Sequence, residues 1–358
     1  MHFPHFCLYG IITVKGNEFR KNRDIMFKKL LITVTLAICA TAVEARELDK
    51  IKESGYLSCG VVNSFKGFSY KDDTGEWTGF MPDWCRVIAI GIFNDAKKIK
   101  FMEINGDMAK KALANDTVDV IAAADLPINF SIAAKEKIRF SYPVYYDKIG
   151  IISNKKLSLQ KISDLKNEKN TICTYKEFTS LKRLSDYLNK ATPKNITISV
   201  KGNLSDAVKA YRTGKCQMLA GNGVYMSLLA KETGDNILID NAGDLQYGLA
   251  VNEKYERLFK MVNWSFFATV IAYDNDLTSE NIDSSADKKN GDADILYNNR
   301  NGKTIGSNDK WFYNIIKKMG NYHQIYDKNL KDKLPLKTNG HLWHNQNADG
   351  VIYYPTID

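Results

Sequence analysis

The sequence has little of what marks fibrous, disordered or metal-stapled proteins. Its 358 residues include 7 prolines, 5 histidines and 6 cysteines, and no C-x-x-C pair occurs. So few prolines exclude long proline-rich linkers, and the 44% of hydrophobic residues excludes a disordered or low-complexity chain. The missing C-x-x-C spacing argues against a zinc site, so no metal is expected. The length is enough for about two domains of ordinary size.

The chain also lacks the patterns of nucleic-acid-binding proteins and of several enzyme classes. There are 50 Lys+Arg against 41 Asp+Glu, a formal charge of +9, but the basic residues are scattered singly among acidic ones. Because no basic block is interleaved with aromatic residues, no nucleic-acid partner is predicted. A Gly-x-Ser-x-Gly motif and a phosphate-binding glycine loop are both missing, so the sequence indicates neither a serine hydrolase nor a nucleotide site.

The strongest apolar run is too short to span a membrane. Leu30–Ala42 contains thirteen residues without a charge, whereas a membrane span needs about twenty. Lys28 and Lys29 precede this run and small residues follow it, which is typical of a secretory signal peptide. Cleavage after Ala42 or after Ala45 fits the pattern, and we favour Ala45.

Residues 1–45 are therefore predicted to be a leader, with the signal peptide over residues 26–45. Residues before Met26 fit either an extended basic region or a start assigned too early, and we favour Met26 as the start residue. Removing the leader takes away six basic and three acidic residues, so the formal charge falls from +9 to +6. The mature chain is predicted to be exported. Four cysteines remain in it: Cys59, Cys85, Cys173 and Cys216.

Strand and helix patterns alternate along the mature chain. Short apolar or β-branched runs, such as Tyr56–Val62 and Ile99–Ile104, are separated by segments with helical spacing, and the pattern restarts after Ser153. This alternation predicts an α/β protein with two lobes, each a mainly parallel sheet flanked by helices. The strands Tyr145–Ile152 and Gln246–Val251 lie at the junctions and are predicted to join the lobes.

The cysteines agree with this division. Cys59 and Cys85 fall in the first α/β set, and Cys173 and Cys216 fall in the second. Four cysteines allow three pairings, and export to an oxidising compartment favours disulfides. Local pairing would fasten each lobe separately and leave the joining strands unconstrained. Four reduced thiols are the alternative.

Motifs spread over nearly all of residues 47–358 carry a resemblance to one family. They are Leu48–Tyr56, Cys59–Val61, Trp77–Arg86, Val118–Val120, Pro143–Asp147, Gly214–Cys216, Asn308–Ile315, Gly320–Tyr322, Pro335–Lys337, Leu342–Trp343 and Gly350–Pro355. In this order they resemble the general L-amino-acid-binding proteins of bacterial polar-amino-acid ABC importers. These are type 2 periplasmic solute-binding proteins of family 3. The four mature cysteines fall at that family's cysteine positions.

The resemblance implies the type II periplasmic binding protein fold, a clamp of two lobes. Lobe 1 is predicted to comprise residues 46–148 and 250–358, with a C-terminal helical extension, and lobe 2 residues 149–249. Such a protein captures an amino acid or a related small solute in the periplasm and delivers it to an inner-membrane ABC permease. The resemblance further implies a monomer that needs no cofactor and catalyses no reaction.

The polar anchors of that family are missing from this chain. The segment where the family carries Thr and Arg is Ala122–Ile132, which has no arginine, and the Gly- and Thr-rich segment is Thr174–Ser180. The family's ammonium-binding aspartate aligns with Asn222, which supplies no countercharge. The predicted site therefore suits a neutral or cationic ligand. It contains Phe68, Tyr70, Asp125, Asn129, Tyr175, Thr179 and Asn222.

Alternatives accompany these assignments. Phe68 also fits a role in the core, and Asp125 a role as a helix cap. A dehydratase- or lyase-like enzyme on the same two-lobe scaffold would need an acid–base pair in the cleft, and Asp125 with Glu177 is the pair that the sequence offers. A third hypothesis is a sensory or protein-binding module that has kept the fold and lost the ligand.

Overall fold

The structure is a computed structural model of the chain. It describes residues 48–331, except residues 65, 105, 124–127, 129, 158, 160, 161, 165–169, 177, 179, 192–195, 239–243 and 285–300. The predicted leader at residues 1–45 and the last three tail motifs, from Pro335 onward, lie outside the described residues.

Five strands form the first sheet. They are β1 (Leu57–Val61), β4 (Ile99–Glu103), β5 (Val120–Ala122), β6 (Ile138–Phe140) and β13 (Ala250–Asn252). The order across the sheet is β4-β1-β5-β13-β6. β1 is parallel to β4 and β5, whereas β13 is antiparallel to β5 and β6. A separate hairpin is made by β2 (Tyr70–Lys71) and β3 (Trp77–Thr78).

Six strands form the second sheet. They are β7 (Tyr145–Ser153), β8 (Asn170–Tyr175), β9 (Ile196–Lys201), β10 (Met218–Asn222), β11 (Asn236–Ile237) and β12 (Asp244–Tyr247). The order is β11-β7-β10-β8-β9, and β12 pairs with β7. The strands that helices connect, β8, β9 and β10, pair in parallel, whereas β7 is antiparallel to each of its partners. The predicted α/β class is confirmed. Each sheet is mixed rather than mainly parallel, because the crossing strands β7 and β13 run antiparallel to their partners.

Helices connect these strands and follow the last one. They are α1 (Phe80–Phe93), α2 (Gly106–Ala114), α3 (Phe130–Glu136), α4 (Leu181–Ala191), α5 (Leu204–Arg212), α6 (Gly223–Thr233), α7 (Glu256–Asp274), α8 (Trp311–Met319) and α9 (Tyr322–Asn329). Residues 48–54 are also helical. α1 packs against α7 and α8, and it is apolar on nearly every side, as expected for a helix inside a core.

The chain passes between the two sheets twice. It runs from β6 into β7 on the way out and from β12 into β13 on the way back. Residues Tyr145–Lys148 of β7 pair with β12, so the two crossings lie side by side. Just before this pairing the Val144 N–H donates to the Tyr247 carbonyl over 2.8 Å. The predicted joining strands are confirmed, and we call β7 and the β12–β13 segment the hinge strands.

The predicted local disulfides are confirmed. Cys59 of β1 is bonded to Cys85 of α1, with their Cα atoms 6.4 Å apart. Cys173 of β8 is bonded to Cys216, with a Cα–Cα distance of 5.7 Å. Each bond joins elements of one sheet and its own helices or loops. Because neither bond crosses the hinge strands, neither one restrains movement of one sheet relative to the other.

Aromatic side chains fill the space beside the hinge strands. The ring of Phe80 lies 5.8 Å from that of Tyr145 and 6.3 Å from that of Tyr322. Tyr322 is 1% exposed, and its hydroxyl donates to the Val144 carbonyl over 2.9 Å. The C-terminal helix α9 is thereby bonded to the residue before the first hinge strand.

Replacing Tyr322 with phenylalanine is expected to lower the free energy of unfolding by about 1–2 kcal/mol, because the buried Val144 carbonyl loses this donor. Urea titration of the mature chain measures the change. Tyr313→Phe is the matched control, since its hydroxyl donates to Asp283 at an exposed position and its removal is expected to cost less than about 0.5 kcal/mol. Equal losses for the two variants would contradict the role of the Tyr322 hydroxyl.

Candidate functional site

The candidate site lies at the carboxyl ends of the parallel strands, where open α/β sheets bind ligands. In the first sheet β1 ends at Val61 and β5 at Ala122. In the second sheet β8 ends at Tyr175 and β10 at Asn222. Two of the predicted site residues, Tyr175 and Asn222, are thus the last residues of neighbouring strands.

Phe68 lies in the loop after β1 and belongs to the aromatic packing beside the hinge. Its side chain is 2% exposed, and its ring centroid lies 5.1 Å from that of Tyr145 and 6.2 Å from that of Tyr247. The Phe68 carbonyl accepts the Met81 N–H over 2.9 Å, so the loop also caps the first turn of α1. The structure therefore gives Phe68 the core position that the sequence allowed as an alternative.

Gly79, just before α1, makes this close approach possible. A Cβ atom there would stand 2.7 Å from the Phe68 carbonyl oxygen, and the backbone has a φ of 118°. Both conditions favour glycine. Tyr70, by contrast, lies in the β2–β3 hairpin opposite Thr78 and is half-buried. Of the two aromatic residues predicted near the first strand, Tyr70 is the more accessible.

Phe68→Leu is expected to lower the free energy of unfolding by about 1–2 kcal/mol, since a core ring is replaced by a smaller side chain. Tyr70→Leu, at a half-buried position of the neighbouring hairpin, is the matched control and is expected to cost less than about 1 kcal/mol. Urea titration of both variants gives the comparison. A Phe68→Leu variant as stable as the wild type would contradict the core position.

The second sheet brings Tyr175 and Asn222 onto adjacent strands. Tyr175 is 6% exposed and its ring lies 5.7 Å from that of Phe178. The same ring comes within 3.2 Å of where a Cβ atom would stand on Gly221, the residue before Asn222. A larger residue at position 221 would push Tyr175 away. This glycine therefore belongs to the packing of the site.

Asn222 is half-buried and stands at the N-cap position of α6. Asparagine is one of the preferred N-cap residues, yet its side chain makes no capping hydrogen bond here. Asp147 of the hinge strand β7 takes that role. Its carboxylate accepts the Val224 N–H over 3.3 Å, and the Gly223 N–H also donates to it.

The Asp147 carboxyl is 7% exposed. It accepts a third hydrogen bond from the Lys148 N–H over 2.7 Å. Burial raises the pKa of Asp147 to about 7, against the opposing effect of these three backbone donors. Sequence reasoning missed this residue as a functional one. The available signal was a carboxylate inside an apolar strand, where an aspartate is rarely buried without partners.

Arg139 is occupied in the first sheet. Its guanidinium forms an ion pair with Glu256 and lies 3.8 Å from the ring centre of Phe259. The hydrogen bond from Arg139 holds the pKa of Glu256 below its usual value. Lys176, which follows β8, is exposed. Arg139 thus contacts α7. This agrees with the sequence, which has no arginine in the predicted binding segment Ala122–Ile132.

Four residues of the sequence-based hypotheses lie outside the described residues: Asp125, Asn129, Glu177 and Thr179. The described residues beside the first gap are Ala123, which is 1% exposed, and Ile128. The Ile128 N–H donates to the Gln246 carbonyl over 2.6 Å. The far end of the segment after β5, at Ile128, is therefore hydrogen-bonded to the second hinge strand.

Comparison with known proteins decides the family. Residues 57–332 match the family described as bacterial extracellular solute-binding proteins, family 3. The chain belongs to this family. The match runs from β1 to just beyond α9, so it includes both sheets and both hinge strands, and it confirms the resemblance carried by the sequence motifs.

Relatives of this solute-binding protein come from several bacteria. It is 27% identical over 346 residues to the putative amino-acid ABC transporter-binding protein YhdW of Escherichia coli, a match covering 92% of this chain and 99% of that protein. It is 28% identical over 332 residues to the general L-amino acid-binding periplasmic protein AapJ of Rhizobium johnstonii, with 90% and 96% covered. The chain is thus a solute-binding protein of the amino-acid ABC transport type.

Solved structures agree. A Brucella ovis ABC transporter periplasmic binding protein with glutathione bound has a TM-score of 0.74 and 28% identity, covering 82% of this chain and 94% of that one. The cysteine-binding protein of Campylobacter jejuni, at 16% identity and a TM-score of 0.55, shares the fold. The fold is the type II periplasmic binding protein fold, as predicted. In the described part of the chain, every helix is too short or too polar to cross a membrane.

Proposed function

We propose that this solute-binding protein captures an amino acid, or a small solute derived from amino acids such as a short peptide, and passes it to an ABC permease. The observation that carries the proposal is the likeness to the glutathione-bound Brucella ovis protein, with 28% identity and a TM-score of 0.74. Glutathione is a short peptide with one ammonium group and two carboxylates, so it is anionic. The solute of this chain is proposed to share its peptide chemistry and to differ from it in charge. The names of YhdW and AapJ support the amino-acid chemistry. The proposal includes no catalytic step.

The proposed binding site combines residues of both sheets. Its second-sheet part, Tyr175 and Asn222, offers a phenol and an amide at the ends of β8 and β10. Neither supplies a formal charge at neutral pH, so the site suits a neutral or cationic solute, with Asp125 as the proposed countercharge. The proposed set is Tyr70, Asp125, Asn129, Tyr175, Thr179 and Asn222, whereas Phe68 of the predicted set is 2% exposed and belongs to the core.

We propose that binding works as a clamp. A solute that contacts residues of both sheets only when they come together favours the closed arrangement over the open one. The position of the disulfides supports this mechanism, since both bonds stay on one side of the hinge strands. The proposed lobes are residues 46–148 with 250–358 and residues 149–249. The strand order supports them, because β13 returns to the first sheet.

Export and partners complete the proposal. We propose a periplasmic monomer, exported by a signal peptide at residues 26–45, that docks on an inner-membrane ABC permease. The charge pattern of the leader supports export, since Lys28 and Lys29 precede a thirteen-residue apolar run. The names of the relatives support the periplasm and the ABC transporter.

Thermal unfolding of the mature chain with candidate solutes tests this function. Glutathione, L-glutamine, L-cysteine and L-arginine are each added at millimolar concentration, and at least one is expected to raise the melting temperature by about 5 °C. A ligand that binds only the native state at a hundred times its Kd adds about 2.7 kcal/mol to the unfolding free energy, which corresponds to a shift of that size.

A matched variant shows whether the shift comes from the proposed site. Asn222→Ala is expected to reduce the shift. Asn203→Ala, at the exposed N-cap of α5, a helix that packs on the same sheet, is expected to leave the shift unchanged relative to its own ligand-free melting temperature. The absence of a shift with every solute tried would contradict the transport function and favour the protein-binding module.

A further inference from the structure

Asp147 lies at a transition in the first hinge strand. Residues Tyr145–Lys148 of this strand pair with β12, the second crossing between the sheets. Residues Ile149–Ser153 of the same strand pair with β10, whose last residue is Asn222. Asp147 therefore stands where the strand leaves the hinge and joins the second sheet.

The carboxylate of Asp147 does what an N-cap side chain normally does. It accepts the N–H groups of Gly223 and Val224, the first two residues of α6. These are among the donors that have no partner within the helix itself. Asn222 holds the N-cap position, and its side chain makes no capping bond. The cap of α6 thus comes from another strand.

Glycines allow the hinge strand to come this close. A Cβ atom on Gly223 would stand 2.7 Å from the Lys148 carbonyl oxygen and 2.8 Å from Oδ1 of Asp147. A Cβ atom on Gly150 would stand 2.7 Å from the Cα atom of Gly223. Because two of these contacts are with backbone atoms, a larger residue at either position would separate the strand from the helix.

We propose that Asp147 is a positioning residue for solute binding. By capping α6 from the hinge strand, it holds the turn between β10 and α6 and thereby fixes the position of Asn222. The inference rests on the proposed function, in which Asn222 contacts the solute. It adds Asp147, which belongs to the Pro143–Asp147 motif and was not in the predicted binding set. The Asp147 carboxylate also bonds the first hinge strand directly to the turn between β10 and α6.

A first experiment tests the cap in the ligand-free mature chain. Backbone amide hydrogen exchange is measured by NMR for Gly223 and Val224 in the wild type and in Asp147→Ala, which removes both acceptor oxygens. Exchange at both amides is expected to be about tenfold faster in the variant, and the side-chain amide resonances of Asn222 are expected to move. Unchanged exchange and unchanged Asn222 resonances would overturn the proposal. Asp147→Asn, which keeps one acceptor oxygen, is expected to give a smaller increase, and each variant is first confirmed folded by its amide spectrum.

The matched control removes a similar carboxylate elsewhere. Asp119 is half-buried and accepts the Ser58 N–H over 2.8 Å. It stands just before β5, at the amino end of the strand and therefore at the opposite edge from the site. Asp119→Asn is expected to leave exchange at Gly223 and Val224 within about twofold of the wild type.

A second experiment tests the effect on binding, with glutathione and L-glutamine as probes in calorimetric titrations. Asp147→Asn is expected to weaken binding of the probe about tenfold. In the Asn222→Ala background the same substitution is expected to change the affinity less than about twofold, because both act through one group. If the two substitutions weaken binding independently, so that their fold-losses in affinity multiply in the double variant, the proposal is overturned. If neither probe binds, the solute that raised the melting temperature replaces them. A wild type that binds none of the four solutes fails the proposed function instead, and the positioning of Asn222 is then decided by the exchange experiment.

Discussion

Replacing Asn222 with aspartate is expected to tighten the binding of L-glutamine by about ten- to hundredfold. The resemblance to the amino-acid-binding family aligns this position with the aspartate that holds the ligand's ammonium group. A hydrogen bond to a charged partner contributes about 1.5–3 kcal/mol, and about 1.4 kcal/mol corresponds to a factor of ten in affinity. Calorimetric titration of the mature chain measures the change.

Two controls separate the ammonium contact from a general effect of charge. N-acetyl-L-glutamine has no ammonium group, so its affinity is expected to change less than about twofold in Asn222→Asp. Asn203→Asp places the same charge at another helix N-cap, where aspartate caps as well as asparagine does, and it is expected to leave the L-glutamine affinity unchanged. An Asn222→Asp variant that binds L-glutamine no better than the wild type would show that the ammonium group lies elsewhere.

The second large effect concerns the pH dependence of stability. In the folded protein the pKa of Asp147 is raised to about 7 by burial, from an ordinary value of 3.8. A difference of one pKa unit corresponds to about 1.4 kcal/mol, so the full effect is about 4 kcal/mol. Between pH 4 and pH 7 the unfolded chain has released the proton while the folded one still holds it. The wild type therefore loses stability as the pH rises through this range.

Asp147→Asn removes this dependence. Urea titrations at pH 5, 6, 7 and 8 are expected to show the variant gaining about 2–3 kcal/mol relative to the wild type between the two extremes. Asp283→Asn is the control. The hydrogen bonds from Lys317 and Tyr313 hold the pKa of the exposed Asp283 below its usual value, so its contribution is constant above pH 5. If the unfolding free energy of Asp147→Asn minus that of the wild type stays constant or falls as the pH rises, the three N–H donors outweigh burial in setting the pKa of Asp147.

Much of the fold could be predicted from local patterns. The alternation of strands and helices and the two crossings at Tyr145–Ile152 and Gln246–Val251 agree with the structure. Short strands such as β6 (Ile138–Phe140) and the β2–β3 hairpin were not predicted. Runs of two or three residues are too short to show the alternation of apolar and polar side chains on which strand prediction depends.

The candidate site was harder to predict. Phe68 was expected to face the ligand, and the structure places its ring among Tyr145 and Tyr247 of the hinge strands. The role of Asp147 could not be predicted, because the amides that it caps are 76 and 77 residues further along the chain. Side-chain contacts between distant segments depend on how the elements pack, and one sequence read alone does not contain that packing.

By itself the sequence determined the fold class and the division of the cysteines between two α/β sets, because hydrophobic periodicity and residue type are local properties. The family resemblance in turn indicated which residues at the strand ends form the proposed site. The tertiary structure decided which residue caps α6 and which aromatic rings are buried. It assigned the cap to Asp147 and left Asn222, at the end of β10, without that role. Such assignments depend on the close approach of Gly150 and Gly223, and that approach exists only when the hinge strand and the second sheet are folded together.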